Sequence, residues 1–240
     1  VNLAPSGQSA AHSRPSLRIV RQLWLLVPYA TLAIVVACLS KSYFTWPDEA
    51  DYYKLAYNLI HLHAYSSNGV SLTAFRPPGY TFFLALIFCI SSNIAFLHYV
   101  NFTLWLCVAL LVYRISEILY GEFAGKVALL WALVYALGLY TSMFLYPQTL
   151  AATLFLASLY VHLKVEKWGA GWRVIEGALF GLLILTVPMY LFALPCLVLL
   201  IAVETRRPSQ ALSILIWIAL PLGLWTIRNY SAFHRFVFVA

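Results

Sequence analysis

The sequence predicts an all-α polytopic membrane protein. Hydrophobic residues make up 63% of its 240 residues, charged residues make up 10%, and the mean hydropathy is +0.84. Soluble domains average about 25% charged residues, so the composition excludes an ordinary soluble domain. The apolar runs are continuous rather than alternating. Because a chain in lipid must satisfy its backbone groups internally, this pattern selects transmembrane helices.

The chain divides into a polar start and a long apolar module. Residues 1–21, rich in Ser, Ala, Gly and Pro, predict a disordered cytoplasmic N-terminus, and 22–240 predict a transmembrane module. The first apolar run, 22–40, follows three arginines and is long for the core of a signal peptide. Lys41 follows it in place of a small-residue cleavage site, which predicts an uncleaved first helix.

The later apolar runs define the remaining helices. Further helices are predicted over 94–113, 127–146, 149–163 and 211–227, with two short helices over 177–203 that break at Pro188 and Pro195. The run 81–90 falls short of the roughly 20 residues that a span needs. It is either a short or re-entrant segment or a full span. The first alternative places ten of the fifteen Lys and Arg residues in the cytoplasm and the 41–78 loop outside.

The net charge of +7 is expected to set topology and to attract anionic lipid headgroups. A nucleic-acid partner is excluded because no basic run with interleaved aromatics lies on a polar segment. The four cysteines sit in apolar runs without metal-ligand spacing, as buried hydrophobic residues do. We find no internal inverted repeat, which a transporter would predict.

A cluster of carboxylates stands out against this apolar background. Asp48 and Asp51 are the only aspartates in the chain, and Glu49 lies between them. Carboxylates beside a membrane are costly and commonly functional. Such a group can act as a general base, hold a divalent cation or form a structural ion pair. Asp48 and Glu49 can also cap the short interfacial helix predicted over 50–63, and Asp51 fits the first turn of that helix.

Two arginines are candidate partners for a phosphate group. Arg76 lies at the end of the same loop, and Arg228 follows the last span. Both are candidates because a guanidinium group can donate two parallel hydrogen bonds to phosphate oxygens. Arg76 can equally be an interfacial anchor. His61 and His63 read as interfacial polar residues. The other histidines look isolated and receive no predicted function.

Three stretches together resemble a known family. They are Trp46-Pro47-Asp48-Glu49-Ala50-Asp51-Tyr52, Arg76-Pro77-Pro78-Gly79-Tyr80-Thr81-Phe82-Phe83-Leu84-Ala85 and Leu224-Trp225-Thr226-Ile227-Arg228-Asn229-Tyr230. Over about residues 20–240 the chain resembles the GT-C fold membrane glycosyltransferases. The branch is that of the protein mannosyltransferases and aminoarabinose transferases, which is similar to glycosyltransferase family 39.

The resemblance implies inverting transfer of a sugar from a polyprenyl-phosphate donor on the outer face of a bacterial inner membrane. It implies that Asp48 is the catalytic base and that Glu49 is the second acidic residue of the pair. The implied substrate-binding residues are Arg76, Tyr52, Tyr80, Gln148, Arg228 and Asn229. The acceptor, a lipid, glycan or protein, stays open. No cofactor is implied beyond the alternative of a divalent cation at the carboxylates.

The chain departs from the family pattern at two positions. Gln148 stands where the family commonly has an acidic residue, and Val187-Pro188 stands where it commonly has Arg-Pro. The family also usually continues with more helices, so we expect a minimal version of the fold, a fragment, or a chain that a membrane partner subunit completes. These departures support an alternative function: a non-catalytic membrane subunit or a module that binds the lipid carrier.

Overall fold

The protein is described by a computed structural model that covers residues 43–206 and 208–240. The described residues form helices and contain no strand, which confirms the predicted all-α class. The α-helices are α1 (Pro47–His61), α2 (Pro78–Phe88), α3 (Ile94–Tyr120), α4 (Glu122–Val134), α5 (Ala136–Ser142), α6 (Pro147–Trp168), α7 (Arg173–Thr186), α8 (Leu194–Thr205) and α9 (Pro208–Phe233). The predicted segments 1–21 and 22–40 lie outside the described residues.

Helix α1 begins at Pro47, three residues before the predicted start at Ala50. Trp46 is extended (φ −121°, ψ 146°), and proline is favoured at the next position because its fixed φ suits a first helical turn. The Glu49 carboxylate accepts a hydrogen bond from the Trp46 N–H at 2.9 Å, which satisfies an N–H at the start of the helix. Asp48 lies in this first turn rather than at the predicted capping position, which Trp46 occupies.

Helix α1 is amphipathic, as predicted. Its buried side consists of Tyr52, Leu55 and Ala56, all of which are nearly inaccessible. Tyr57 is 43% exposed and lies off this buried side. The Tyr52 ring meets the Tyr80 ring of α2 edge-on, with centroids 5.1 Å apart. Packing against α2 therefore determines which side of α1 is buried.

Helix α2 is as short as the sequence predicts. Its 11 residues span about 16 Å, roughly half the hydrocarbon thickness of a bilayer. It begins at Pro78 and ends at Phe88. Asn93 then caps α3 by accepting the Phe96 N–H at 3.1 Å. Re-entry of this segment into a membrane stays a prediction.

Gly79 lets α2 approach the end of α7. A Cβ atom at this position would lie 2.7 Å from the Thr186 backbone nitrogen and 2.9 Å from the Leu185 carbonyl carbon. We expect Gly79→Ala to lower the free energy of unfolding by about 1–3 kcal/mol, because backbone atoms cannot move aside as side chains can. Thermal unfolding in detergent measures this. The matched control is Gly223→Ala, where a Cβ meets nothing within 4 Å. An unfolding temperature unchanged by Gly79→Ala would contradict this account.

Within the described residues, two helices are long and apolar enough to cross a membrane. They are α3 and the part of α9 from Leu212 to Phe233. Helices α4 and α5 make a third candidate if they count as one span, although a 55° bend separates them. The span predicted over 127–146 is therefore bent, with α4 ending at Val134 and α5 ending at Ser142. The bend follows Ala132, whose carbonyl accepts the Trp105 indole N–H at 3.0 Å, and the Trp105 ring stacks on Tyr135.

Helix α3 runs further than predicted. The sequence suggested that a loop starts at Arg114, but the helix continues to Tyr120. Arg114 pairs with Glu117 one turn later at 2.9 Å, an i, i+3 pair that supports helix. The helix ends at Gly121, whose φ of +90° is readily adopted only by glycine.

The predicted break between two short helices near Pro188 is confirmed. Helix α7 ends at Thr186, residues Pro188–Ala193 form a 3₁₀ segment, and Pro195 lies in the first turn of α8. Helix α7 packs closely on α9 through Gly177 and Gly181, as small residues at this spacing predict. A core of Leu183, Ile184, Ile201, Ile214 and Ile218 joins α7, α8 and α9.

Candidate functional site

The two aspartates of α1 bind one arginine. Asp48 and Asp51 lie one turn apart, and each accepts a hydrogen bond from Arg76 Nη2, at 2.5 Å and 2.9 Å. Their side chains are 41% and 38% exposed, against 20% for Arg76. The structure thus joins the predicted carboxylate cluster to the predicted Arg-Pro-Pro motif. The sequence suggested that Asp51 is only a helix-start residue; its role as a second Arg76 ligand was missed.

The Arg76 guanidinium lies against two aromatic rings. It lies 5.5 Å from the ring centroid of Tyr52 and 4.9 Å from that of Phe75. Burial lowers the Arg76 pKa, but hydrogen bonds to Asp51 and Asp48 outweigh this and raise it above its ordinary value. Its buried Nε has no hydrogen-bond partner in the described part of the chain. The guanidinium therefore holds its positive charge between the two partly exposed carboxylates.

Glu49 is buried and fully engaged, unlike the two aspartates. One carboxylate oxygen accepts the backbone N–H groups of Thr45 and Trp46, both at 2.9 Å. The other oxygen accepts from His98 Nε2 at 2.7 Å and from the Leu145 N–H at 3.0 Å. Burial raises the Glu49 pKa, but these hydrogen bonds, led by that of His98, leave it below its ordinary value. Glu49 thus holds the start of α1 in place.

Tyr52 and Tyr80, both predicted substrate-binding residues, are part of the buried packing under the site. Tyr80 is inaccessible, and its hydroxyl donates to the Asn101 side chain at 3.2 Å. Tyr52 is 4% exposed, and burial raises its pKa to about 12 despite the opposing charge of Arg76. The Tyr52 ring contacts the Arg76 guanidinium, and the Tyr80 ring of α2 packs against the Tyr52 ring.

Arg228 and Asn229 connect the end of α9 to the α1–α2 loop. Arg228 donates to the carbonyl oxygens of Thr73 at 2.9 Å and Tyr65 at 3.4 Å. Asn229 is inaccessible and accepts from Arg228 at 3.0 Å. The Tyr65 hydroxyl donates to the Arg76 carbonyl at 2.9 Å, so Tyr65 links the two arginines. No local sequence pattern indicated this role for Tyr65.

Gln148 lies at the start of α6 with its side chain exposed. Just before it, Leu145 is bound by Glu49. The Tyr146 pKa is raised by burial and then by the negative charges of Asp48 and Glu49. Leu145 and Tyr146, just before Gln148, therefore lie close to the carboxylates of α1. Gly79 lies close to the end of α7, and Arg228 binds the α1–α2 loop. The predicted segments therefore lie together at one end of the helices.

The structure contains a second group of charged residues that the sequence did not predict. His162 Nδ1 lies 2.8 Å from Glu176 Oε1, and Arg173 donates to Glu176 Oε2 at 2.6 Å. Glu204 on α8 lies 2.9 Å from His162 Nε2. His162, Arg173 and Glu176 are buried, so the interpretation of His162 as isolated is wrong. The group joins the end of α6 to the start of α7, at the opposite ends of these helices from Gln148 and Thr186.

The described part of the chain offers few ligands for a metal ion. Among the described residues, no group of three or more His, Cys, Asp or Glu side chains could hold a metal ion. Asp48 and Asp51 alone offer two partly exposed carboxylates, and Arg76 binds both.

Comparison with family models, with curated proteins and with solved structures finds no match to this chain. Function must therefore be inferred from the residues and their geometry.

Proposed function

We propose that this protein transfers a sugar from a polyprenyl-phosphate donor to an acceptor on the outer face of a membrane, with Asp48 as general base. One observation carries the proposal. The two stretches that resemble the GT-C glycosyltransferases, around Asp48 and around Arg76, lie 28 residues apart and meet in a direct ion pair. Chance similarity of two separate stretches would not require them to share a site.

The chemistry needs a base and a cation close together. Asp48, partly exposed, takes the proton of the acceptor hydroxyl or amine as the acceptor atom bonds to the anomeric carbon of the sugar. The bond from that carbon to the phosphate oxygen breaks, and the electron pair leaves with polyprenyl phosphate. Arg76 stabilises the leaving phosphate through the positive charge of its guanidinium group. A single displacement of this kind inverts the anomeric carbon.

A GT-C-like helix bundle in a bacterial inner membrane is part of the proposal. Two or three candidate spans and a short apolar helix beside the aspartates support it. A donor with a long hydrocarbon chain reaches the site from the bilayer. The N-terminus is then cytoplasmic, and the 41–78 loop faces outwards.

Cysteine labelling tests this orientation. In a background without the four native cysteines, Ser67→Cys is expected to react from outside with a membrane-impermeant thiol reagent, and Gln210→Cys only after permeabilisation. The two positions lie in the α1–α2 loop and at the start of α9. Mass shifts on gels measure the labelling, and the reverse pattern contradicts the proposed topology.

A second candidate function is a non-catalytic subunit or carrier-binding module. The observation that favours it is that a single Arg76 nitrogen binds the carboxylates of both Asp48 and Asp51. The substitutions at Gln148 and Val187 point the same way. This function requires binding of polyprenyl phosphate without transfer.

Transfer of labelled sugar separates the two functions. Membranes that contain the protein are supplied with radiolabelled polyprenyl-phosphate sugars, and label in lipid, glycan and protein fractions is counted. The proposal expects label transfer in proportion to the amount of protein. Carrier binding with no transfer from any donor tried favours the second candidate.

A further inference from the structure

Helix α3 carries two buried polar residues that lie beside the candidate site. His98 and Asn101 lie three residues apart and therefore share a helix face. His98 is 5% exposed and Asn101 is inaccessible. Neither residue belongs to the motifs that resemble the glycosyltransferases. A buried polar pair on a helix otherwise rich in apolar residues needs partners, and both have them.

Asn101 holds the segment 142–146, which connects α5 to α6. Its side-chain nitrogen donates to the carbonyl oxygens of Ser142 and Phe144, at 3.0 Å and 2.5 Å. Its oxygen accepts from the Tyr80 hydroxyl of α2. Asn101 thus ties this segment to the helix that follows Arg76, without touching Glu49.

His98 holds the other side of the same segment through Glu49. The Glu49 carboxylate is inaccessible, so each of its oxygens must be satisfied by protein donors. Three of its four donors are backbone N–H groups. His98 is the one side chain among the described donors, and the ring nitrogen that faces the carboxylate donates to it.

We propose that His98 is a positioning residue for the candidate active site: by binding Glu49, it fixes the first turn of α1 against the segment 142–146 and so directs the neighbouring Asp48 carboxylate. The inference rests on the proposed function for the role of Asp48. The holding of the turn itself does not depend on that function. Asp48 precedes Glu49 directly, so a tilt of this turn moves the Asp48 side chain and its contact with Arg76.

Hydrogen–deuterium exchange and turnover together test the proposal. His98→Phe keeps a ring but removes the donor, whereas His98→Gln keeps an N–H donor. We expect His98→Phe to speed exchange in peptides that cover 43–53 by about tenfold or more, the usual effect of losing a hydrogen bond to a buried charge. His98→Gln should speed it less than threefold. The matched control is His61→Phe on the exposed side of α1, which should leave exchange unchanged.

Turnover then shows whether the held turn matters to the site. With an active wild type, we expect His98→Phe to lower kcat for sugar transfer by about tenfold or more with little change in KM, and His98→Gln to restore most of it. If His98→Phe does not accumulate in membranes, His98→Asn replaces it, because its shorter side chain cannot reach Glu49; the same increase in exchange is expected.

Two results would overturn the proposal. One is exchange over 43–53 that is unchanged in His98→Phe or raised equally in His61→Phe. The other is faster exchange with an unaltered kcat. A wild type that transfers no sugar refutes the proposed function instead, and the exchange rates still decide whether His98 holds the turn.

Discussion

Asp48→Asn is expected to lower kcat for sugar transfer by about 10²–10⁴-fold, the usual contribution of a general base. The amide keeps the size of the side chain and its ability to accept a hydrogen bond from Arg76, so binding of the donor should change little. It cannot take the proton of the acceptor. Initial rates of label transfer at saturating donor measure kcat directly.

The chain offers a closely matched control in Asp51→Asn. Asp51 binds the same Arg76 nitrogen from the same helix, and its exposure is nearly that of Asp48. Loss of an ion pair alone should affect both variants equally, by about tenfold or less, since partly exposed pairs contribute little. Equal losses of kcat in the two variants would remove Asp48 as the base.

Arg173→Leu is expected to lower the free energy of unfolding by about 3–5 kcal/mol. It leaves the inaccessible Glu176 carboxylate without its donor on Oε2, and a buried charge that loses its partner is strongly destabilising. For a chain of this size the unfolding temperature should fall by roughly 10 °C. Thermal unfolding of the purified protein in detergent measures the change.

Lys126→Leu is the control for this variant. Lys126 pairs with Glu122 at 2.8 Å on the surface of α4, and its side chain is 39% exposed. We expect a change of about 0.5 kcal/mol or less, because exposed pairs are weak. Equal stability of the two variants would show that the group around His162 does not hold α6, α7 and α8 together.

Local signals in the sequence predicted much of the helical framework. Pro188 and Pro195 identified the break before α8, because proline cannot continue a preceding helix. The short run before Ser91 predicted a short α2 because its length falls below that of a span. The bend near Tyr135 could not be predicted in this way. It depends on a hydrogen bond that the Trp105 indole N–H donates to the Ala132 carbonyl, and these two residues lie 27 positions apart.

The candidate site likewise contains residues that local sequence patterns predicted and residues that they did not. The acidic cluster and Arg76 were found from residue type and spacing, and they do meet. Their buried supports were not found. His98 lies 49 residues from Glu49, and His162 lies 14 residues from Glu176 on another helix. Spacing along one chain carries no sign of such pairs, since they depend on how separate helices pack.

The fate of a donor of defined anomeric configuration tests the central claim most directly. Wild-type protein in membranes that contain native acceptors is mixed with a polyprenyl-phosphate sugar, and the products are analysed by mass spectrometry and NMR. The proposal predicts equal amounts of free polyprenyl phosphate and sugar-bearing acceptor, with the anomeric configuration inverted. An intact donor after incubation with every sugar tried, or a product of retained configuration, would contradict it.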